Sequence, residues 1–146
     1  MHQDFKDLLS EFNAHGVEYL VVGAHALAAH GHVRATKDMD VWVRPTRDNA
    51  QRVMSALAAF GAPAHGASIE DFSGPDFVLQ IGVQPIRIDV LTSITGVTFD
   101  EAWPARLRAT FDGAPVGVLS KEHLIQNKSA TGRPQDLADV DFLTKA

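Results

Sequence analysis

Asp38 and Asp40 stand two residues apart in Asp38-Met39-Asp40-Val41-Trp42-Val43, fifteen residues after Gly23. In an extended strand the side chains at i and i+2 point the same way. The two carboxylates therefore share one face, while Met39, Val41 and Val43 take the other. Two carboxylates held side by side repel unless a cation lies between them. Mg²⁺ suits such a place because it is hard, prefers carboxylate oxygens and is commonly shared with substrate phosphates. A third carboxylate, Asp89, sits in Arg87-Ile88-Asp89-Val90-Leu91, on the face opposite Ile88 and Val90. A charge inside an apolar strand costs free energy unless it is paired or metal-bound, and Arg87 offers the alternative partner. Three strand-borne carboxylates match a two-metal site, in which one ion activates an attacking hydroxyl and the other stabilises a leaving pyrophosphate.

The approach to the acidic pair carries its own chemistry. Tyr19-Leu20-Val21-Val22-Gly23-Ala24 is an apolar strand that runs into a glycine opening a helix. A helix start presents unpaired N–H groups and partial positive charge, which suits phosphate, and glycine allows close approach to the backbone. The plain alternative is a tight strand-to-helix turn with nothing bound. His25, His30 and His32 cluster nearby, but their spacing does not place them on one helical face as a zinc pair requires. His25 is instead a candidate for contact with a nucleotide. Trp42 shares the pleat face of the acidic pair and reads as packing, as does Trp103.

The elements that must position these residues follow from periodicity and punctuation. Residues 3–15 read as a helix with Phe5, Leu8, Leu9 and Phe12 on one stripe. Strand Tyr19 to Val22, helix Ala24 to His30 and strand Asp38 to Val43 come next, and Thr46 caps a helix reaching Phe60. Gly61 to Pro75 reads as loop or edge structure. Phe77 to Ile81 and Ile86 to Leu91 read as a hairpin. Phe99 to Arg108 reads as a helix, followed by short strands at Ala109 to Phe111 and Val116 to Leu119 around Asp112-Gly113. Ser120 opens a helix to about Ala130. After Thr131-Gly132-Arg133-Pro134, Asp136 to Thr144 forms the last, with Leu137, Val140 and Leu143 inward. The order describes a mixed α/β or α+β domain, not a regularly alternating doubly wound sheet.

With 146 residues, 45% hydrophobic and 21% charged, the composition is that of one ordinary domain, residues 1–146, with a sizeable core. No apolar run approaches the roughly 20 residues of a membrane span, and the polar start lacks a signal-peptide core. The absence of cysteine excludes disulfides and thiolate zinc sites. A cytoplasmic location follows as the expectation. The net charge of −5 confines any nucleic-acid contact to local clusters such as Arg34/Lys37 or Lys128/Arg133.

Taken together, Val21-Val22-Gly23-Ala24, Asp38-Met39-Asp40 and Asp89 resemble the polymerase-beta-like nucleotidyltransferase superfamily. The C-terminal stretch from Asn127-Lys128 through Arg133 and Asp136 to Asp139 is similar to the tail of small bacterial nucleotidyltransferases, many of them toxins of type IV toxin–antitoxin pairs. The resemblance runs from about Phe5 to Leu143. It implies an α+β nucleotidyltransferase fold, with a mixed central β-sheet flanked by helices. It also implies Mg²⁺ or Mn²⁺ as cofactor and an NTP as donor substrate. Asp38, Asp40 and Asp89 would be the metal ligands, and Asp89 would help deprotonate the acceptor hydroxyl. Gly23 and Ala24 would flank the triphosphate, Lys128 and Lys37 would neutralise or steer phosphate, and Asp136 would orient Lys128 or contact the acceptor. The acceptor is left open between RNA, protein and small molecule. An antitoxin protein joins the candidate partners. Ala24 departs from the family pattern, since a serine there would offer a hydroxyl to a phosphate oxygen.

That departure keeps a second reading in play: a catalytically weak or inactive nucleotide-binding module that acts through a protein partner. A metal-dependent phosphohydrolase is a third, because three aspartates can equally activate water. The glycine turn ahead of the acidic pair favours a triphosphate donor over that one.

Overall fold

A computed structural model describes residues 1–33, 38–62, 65–82 and 86–145. The elements in chain order are α1 (Gln3–Ala14), β1 (Tyr19–Val22), α2 (Gly23–Ala29), β2 (Asp38–Val43), α3 (Arg47–Phe60), α4 (Ile69–Ser73), β3 (Val78–Ile81), β4 (Arg87–Leu91), α5 (Phe99–Ala102), β5 (Leu107–Phe111), β6 (Ala114–Val118), α6 (Lys121–Thr131) and α7 (Pro134–Lys145). The strands form one six-stranded sheet in the order β3-β4-β2-β1-β6-β5. Pairings β1–β2, β3–β4 and β5–β6 are antiparallel, whereas β1–β6 and β2–β4 are parallel. This is the mixed α+β architecture that the sequence implies.

Several helices are started by a specific side chain. Thr46 accepts from Asn49 N at the head of α3, and Ser120 accepts from His123 N at the head of α6. These contacts satisfy donors that the helix cannot. The stripe Phe5, Leu8, Leu9 and Phe12 of α1 is buried, and α1 packs against α3. All four residues of β1 are buried. On β2, Met39, Val41 and Val43 are fully enclosed, as the strand alternation requires. Trp42, on the carboxylate face, is also buried. It donates from Nε1 to Thr92 O and meets Phe99 edge-on, in agreement with a packing role. Trp103 stacks on Phe99 at the rim of the core, with the Arg106 guanidinium over its ring, 3.8 Å from the centroid. Buried Asn49 ties α3 to the entry of β1: its Oδ1 accepts from Glu18 N, and its Nδ2 donates to Glu18 O and Arg44 O.

Three local readings change. The stretch read as loop, Gly61 to Pro75, contains α4, held by a reciprocal cap between Ser68 and Asp71 and by fully buried Phe72. The helix read as Phe99 to Arg108 stops at Ala102. Pro104 lacks the N–H that a helix interior needs, and the chain enters β5 at Leu107 instead. The β5–β6 turn uses Asp112 and Gly113, both at positive φ, as a two-residue hairpin of this twist demands. Finally, α7 is rotated from its expected face. Asp136, Asp139 and Leu143 are buried, while Leu137 is exposed.

Candidate active site

The acidic residues meet because of strand register. In the parallel β2–β4 pairing, Asp40 lies opposite Asp89 and Asp38 lies opposite Arg87. On the other side of β2, Val22 is the partner of Asp40, which sets Gly23 beside the Asp40 carboxylate. A Cβ added at Gly23 would collide with Asp40 Oδ2, and Gly23 has φ +68°, a conformation that L side chains rarely adopt. Glycine is thus required here to make room for the acidic group, whatever the N–H groups of α2 bind. Ala24, half-buried in the first turn of α2, has no hydroxyl to offer.

All three carboxylates are half-buried. Burial, reinforced by the charges of Asp89 and Asp38, pushes the Asp40 carboxyl up to about 6, although Arg87 and Lys128 pull the other way. Burial also raises Asp89, opposed by Arg87 and reinforced by Asp38. At Asp40, burial and its acidic neighbours outweigh the pull of Arg87 and Lys128. Carboxylate oxygens are the donor type that a hard divalent cation such as Mg²⁺ or Mn²⁺ prefers. Arg87 touches two of the three, with NH2 3.3 Å from Asp38 Oδ2 and Nε 3.2 Å from Asp89 Oδ1. Among the described residues, no three carboxylate or imidazole groups are grouped closely enough to hold an ion.

A second charged cluster joins α6 to α7. Lys128 Nζ lies 3.1 Å from Asp139 Oδ2 and 3.4 Å from Asp136 Oδ1. Asp136 also accepts from Arg133 Nε at 2.6 Å, from Arg133 NH2 at 3.1 Å and from Thr131 Oγ1 at 2.8 Å. These bonds, that from Arg133 foremost, hold its carboxyl well below the usual range. His32 Nε2 lies 3.5 Å from Asp139 Oδ1, and its ring stacks near Phe142. Lys128 is therefore seated on two buried aspartates, close enough for its charge to be felt at Asp40. Its helix is docked by Gln126 and Asn127, which donate to Gly96 O and Thr95 O.

The structure brings Asp38, Asp40, Asp89 and Gly23 into one site and sets the Lys128–Asp136 pair within electrostatic reach of it. Lys37 and Arg34 lie outside the described residues. His25 packs against Phe5 and Phe111; burial lowers its pKa, opposed by a hydrogen bond with the Asp38 backbone. His30 bonds to Leu119 O, so the three clustered histidines go to separate partners. Sequence reasoning put Asp139 at the end of the C-terminal motif, as a pairing partner for Lys128 and Arg133, and weighed His32 only within a histidine cluster whose spacing argued against zinc. The contact between His32 and Asp139 had no signal in the sequence, since the two residues lie far apart in the chain.

No curated protein matches the chain by sequence. Several solved structures share its fold. The lincosamide antibiotic adenylyltransferase LnuA, lincomycin-bound, matches with a TM-score of 0.62 at 16% identity, over 99% of this chain and 96% of that one. ANT(2'')-Ia, in complex with adenylyl-2''-tobramycin, matches with 0.60 at 12% identity, over 97% and 86%. A Thermotoga maritima protein assigned as a nucleotidyltransferase matches with 0.60 at 14% identity, over 97% and 88%. At these identities the likeness is one of fold, and fold alone does not fix activity. Sequence carries the assignment further, in accord with the resemblance to polymerase-beta-like enzymes: the chain belongs to the family described as nucleotidyl transferase of unknown function (DUF2204), whose profile matches residues 1–146.

Proposed function

We propose that this nucleotidyltransferase moves a nucleoside monophosphate from an NTP to a hydroxyl of a small-molecule acceptor, with magnesium or manganese held by Asp38, Asp40 and Asp89. The observation that carries the reading is the register that sets Asp40 opposite Asp89, with Asp38 on the same face and Gly23 leaving space for the Asp40 carboxylate. When bound, the metal supplies Lewis-acid polarisation of the phosphoryl oxygens and lowers the pKa of the acceptor hydroxyl. Asp89 accepts the hydroxyl proton, and its raised pKa suits that task. Lys128, oriented by Asp136 and Asp139, places a compact positive charge toward the phosphates. The turn at Gly23 and Ala24 lets the triphosphate approach the backbone. Catalysis is then mostly positioning and charge neutralisation.

The choice of a small acceptor rests on fold neighbours seen with lincomycin and with adenylylated tobramycin, and on a net charge of −5, which favours no long RNA footprint. Because NTPs are its donors, the reading places the protein in the cytoplasm. Incubation with α-labelled NTPs, Mg²⁺ and a panel of hydroxylated small molecules, tRNA and protein tests it. Label on a small acceptor supports the reading; label on tRNA or protein replaces its acceptor. Absence of any transfer, together with absence of NTP binding by calorimetry, rejects it.

Ala24 favours a second reading, an NTP-binding module with weak or no turnover that acts through a partner protein; tight NTP binding without product would select it. An antitoxin as that partner rests on the C-terminal resemblance from Lys128 to Asp139, and co-purification with the product of an adjacent gene tests the pairing.

A further inference from the structure

Strand register lays four residues in one row across the sheet face that carries the carboxylates: Gln80 on β3, Asp89 on β4, Asp40 on β2 and Val22 on β1. Residues paired directly across strands share a face. Neighbouring strands lie about 4.8 Å apart, so the row spans about 14 Å. Gly23 adjoins the Val22 end. Gln80 closes the other end, with Asp89 beside it. Val78 on β3 and Leu91 on β4 pair in the same register and form the next row. The two faces of this strand pair differ. Leu79, Ile88 and Val90 are buried in the core, whereas Gln80 is exposed, Val78 is 47% exposed and Leu91 is half-buried. Beside Asp89 there is therefore an open patch made of one neutral amide and two apolar side chains. The guanidinium of Arg87 borders it, with Nε 3.2 Å from Asp89 Oδ1.

We infer that this patch seats the acceptor, that Gln80 is a specificity-determining residue within it, and that the acceptor class is an uncharged hydroxyl compound with an apolar substituent. The inference rests on the reading of Asp89 as the group that takes the hydroxyl proton, and it names the acceptor class for that same site. The triphosphate lies at the Gly23 end of the row, so the acceptor reaches Asp89 from the Gln80 end. Its hydroxyl oxygen forms a bond to the α-phosphorus. The bond from that phosphorus to the bridging oxygen breaks, pyrophosphate leaves with the electron pair, and the proton passes to Asp89. The Gln80 carboxamide both donates and accepts, and it bonds a second polar group of the same molecule. Val78 and Leu91 cover the apolar substituent. A polycationic acceptor is disfavoured, because β3 carries no carboxylate and Arg87 repels it.

The test measures transfer by the full chain, with α-labelled NTPs and Mg²⁺, to three classes of small acceptor: uncharged hydroxyl compounds with an apolar substituent, such as phenyl glucoside; uncharged compounds without one, such as glucose; and polyamino sugars. Wild type should show its highest kcat/KM in the first class, a readout that needs no variant to fold. Gln80→Ala should raise the acceptor KM about fivefold, the scale of one neutral hydrogen bond, and leave the KM for NTP unmoved. Gln80→Glu should shift the ratio of kcat/KM about tenfold toward the polyamino sugars, since a charged partner strengthens the bond, and a merely structural role would not change that ratio. Val78→Ser should erase the advantage of the apolar substituent. Transfer by wild type that favours polyamino sugars, tRNA or protein overturns the inference and leaves nucleotidyl transfer standing, as does a choice of acceptor that neither Gln80 variant alters. Absence of transfer to every acceptor overturns the reading of Asp89 and the inference with it.

Discussion

Asp40 faces Asp89 directly across the parallel β2–β4 pairing, and no residue of either strand stands between the two positions. Ladder register of this kind is fixed by the buried faces of both strands, since a slip by one residue would turn every side chain over. Met39, Val41, Ile88 and Val90 are all buried, so the apolar core itself enforces the meeting of the carboxylates.

Gly23→Ala should abolish activity with little loss of fold. The new Cβ would strike Asp40 Oδ2 at a residue with φ +68°, and an L residue there costs about 1–2 kcal/mol. Thermal melting should therefore report a modest loss, while nucleotidyl transfer falls to background. Full activity in Gly23→Ala would show that the Asp40 position is not critical.

Asp40→Asn should make the metal-free protein more stable and inactive. Ionised Asp40 is disfavoured by burial and by its two acidic neighbours, so a neutral amide of the same shape removes repulsion. A gain of about 1 kcal/mol corresponds to about 2–4 °C in Tm for a chain of this size. Transfer should drop by about 1000-fold or more, the scale of losing a charge-stabilising group. A lower Tm for Asp40→Asn in metal-free buffer would contradict the electrostatic account.

Asp136 should govern acid sensitivity. Its carboxyl is held below the ordinary range by Arg133, Thr131 and Lys128. Stability from such a group is fully present above about pH 4, its unfolded-chain value, and is lost as pH falls below that. Asp40 has the opposite sign, since protonation from about 6 downward favours the native state. Denaturant titrations should show wild-type stability eroding below pH 4. Asp136→Asn should be less stable at neutral pH, by about 3 kcal/mol for a broken buried pair, and flatter through the acid window. Parallel acid profiles for the two proteins would rule this out.

Ala24→Ser tests the departure in the phosphate turn. A hydroxyl in the first turn of α2 should lower the KM for NTP several-fold with kcat little changed, because one neutral hydrogen bond adds about 1 kcal/mol. Steady-state kinetics on an acceptor that takes label in the panel would read the split. An unaltered KM would place the triphosphate away from this turn.

Much of this arrangement was legible in the chain. The alternation of Asp38 to Val43 and the isolated Asp89 predicted one acidic face, because a strand has only two faces and apolar residues claimed one. Thr46, Ser120 and Pro134 marked helix starts through local chemistry that tertiary contacts leave alone. Other features depended on partners distant in sequence. Leu137 fits an inward stripe, yet α7 turns Asp136 and Asp139 inward because Lys128 and Arg133 are there to neutralise them, and no periodicity within one helix reveals this. The Ser68–Asp71 cap was readable but lay in a Gly- and Ala-rich stretch that suggested loop. Arg87 was ambiguous for the same reason as α7: its partner on β2 is 49 residues away in sequence.

The most direct test of the central claim follows α-labelled ATP and the other NTPs with Mg²⁺ and the small-molecule hydroxyl panel, comparing wild type with Asp89→Asn, and measures labelled acceptor and pyrophosphate together. The account predicts one pyrophosphate released per labelled small acceptor in the wild type, and neither product from Asp89→Asn. Pyrophosphate or phosphate release without labelled acceptor, or equal transfer by Asp89→Asn, would contradict it.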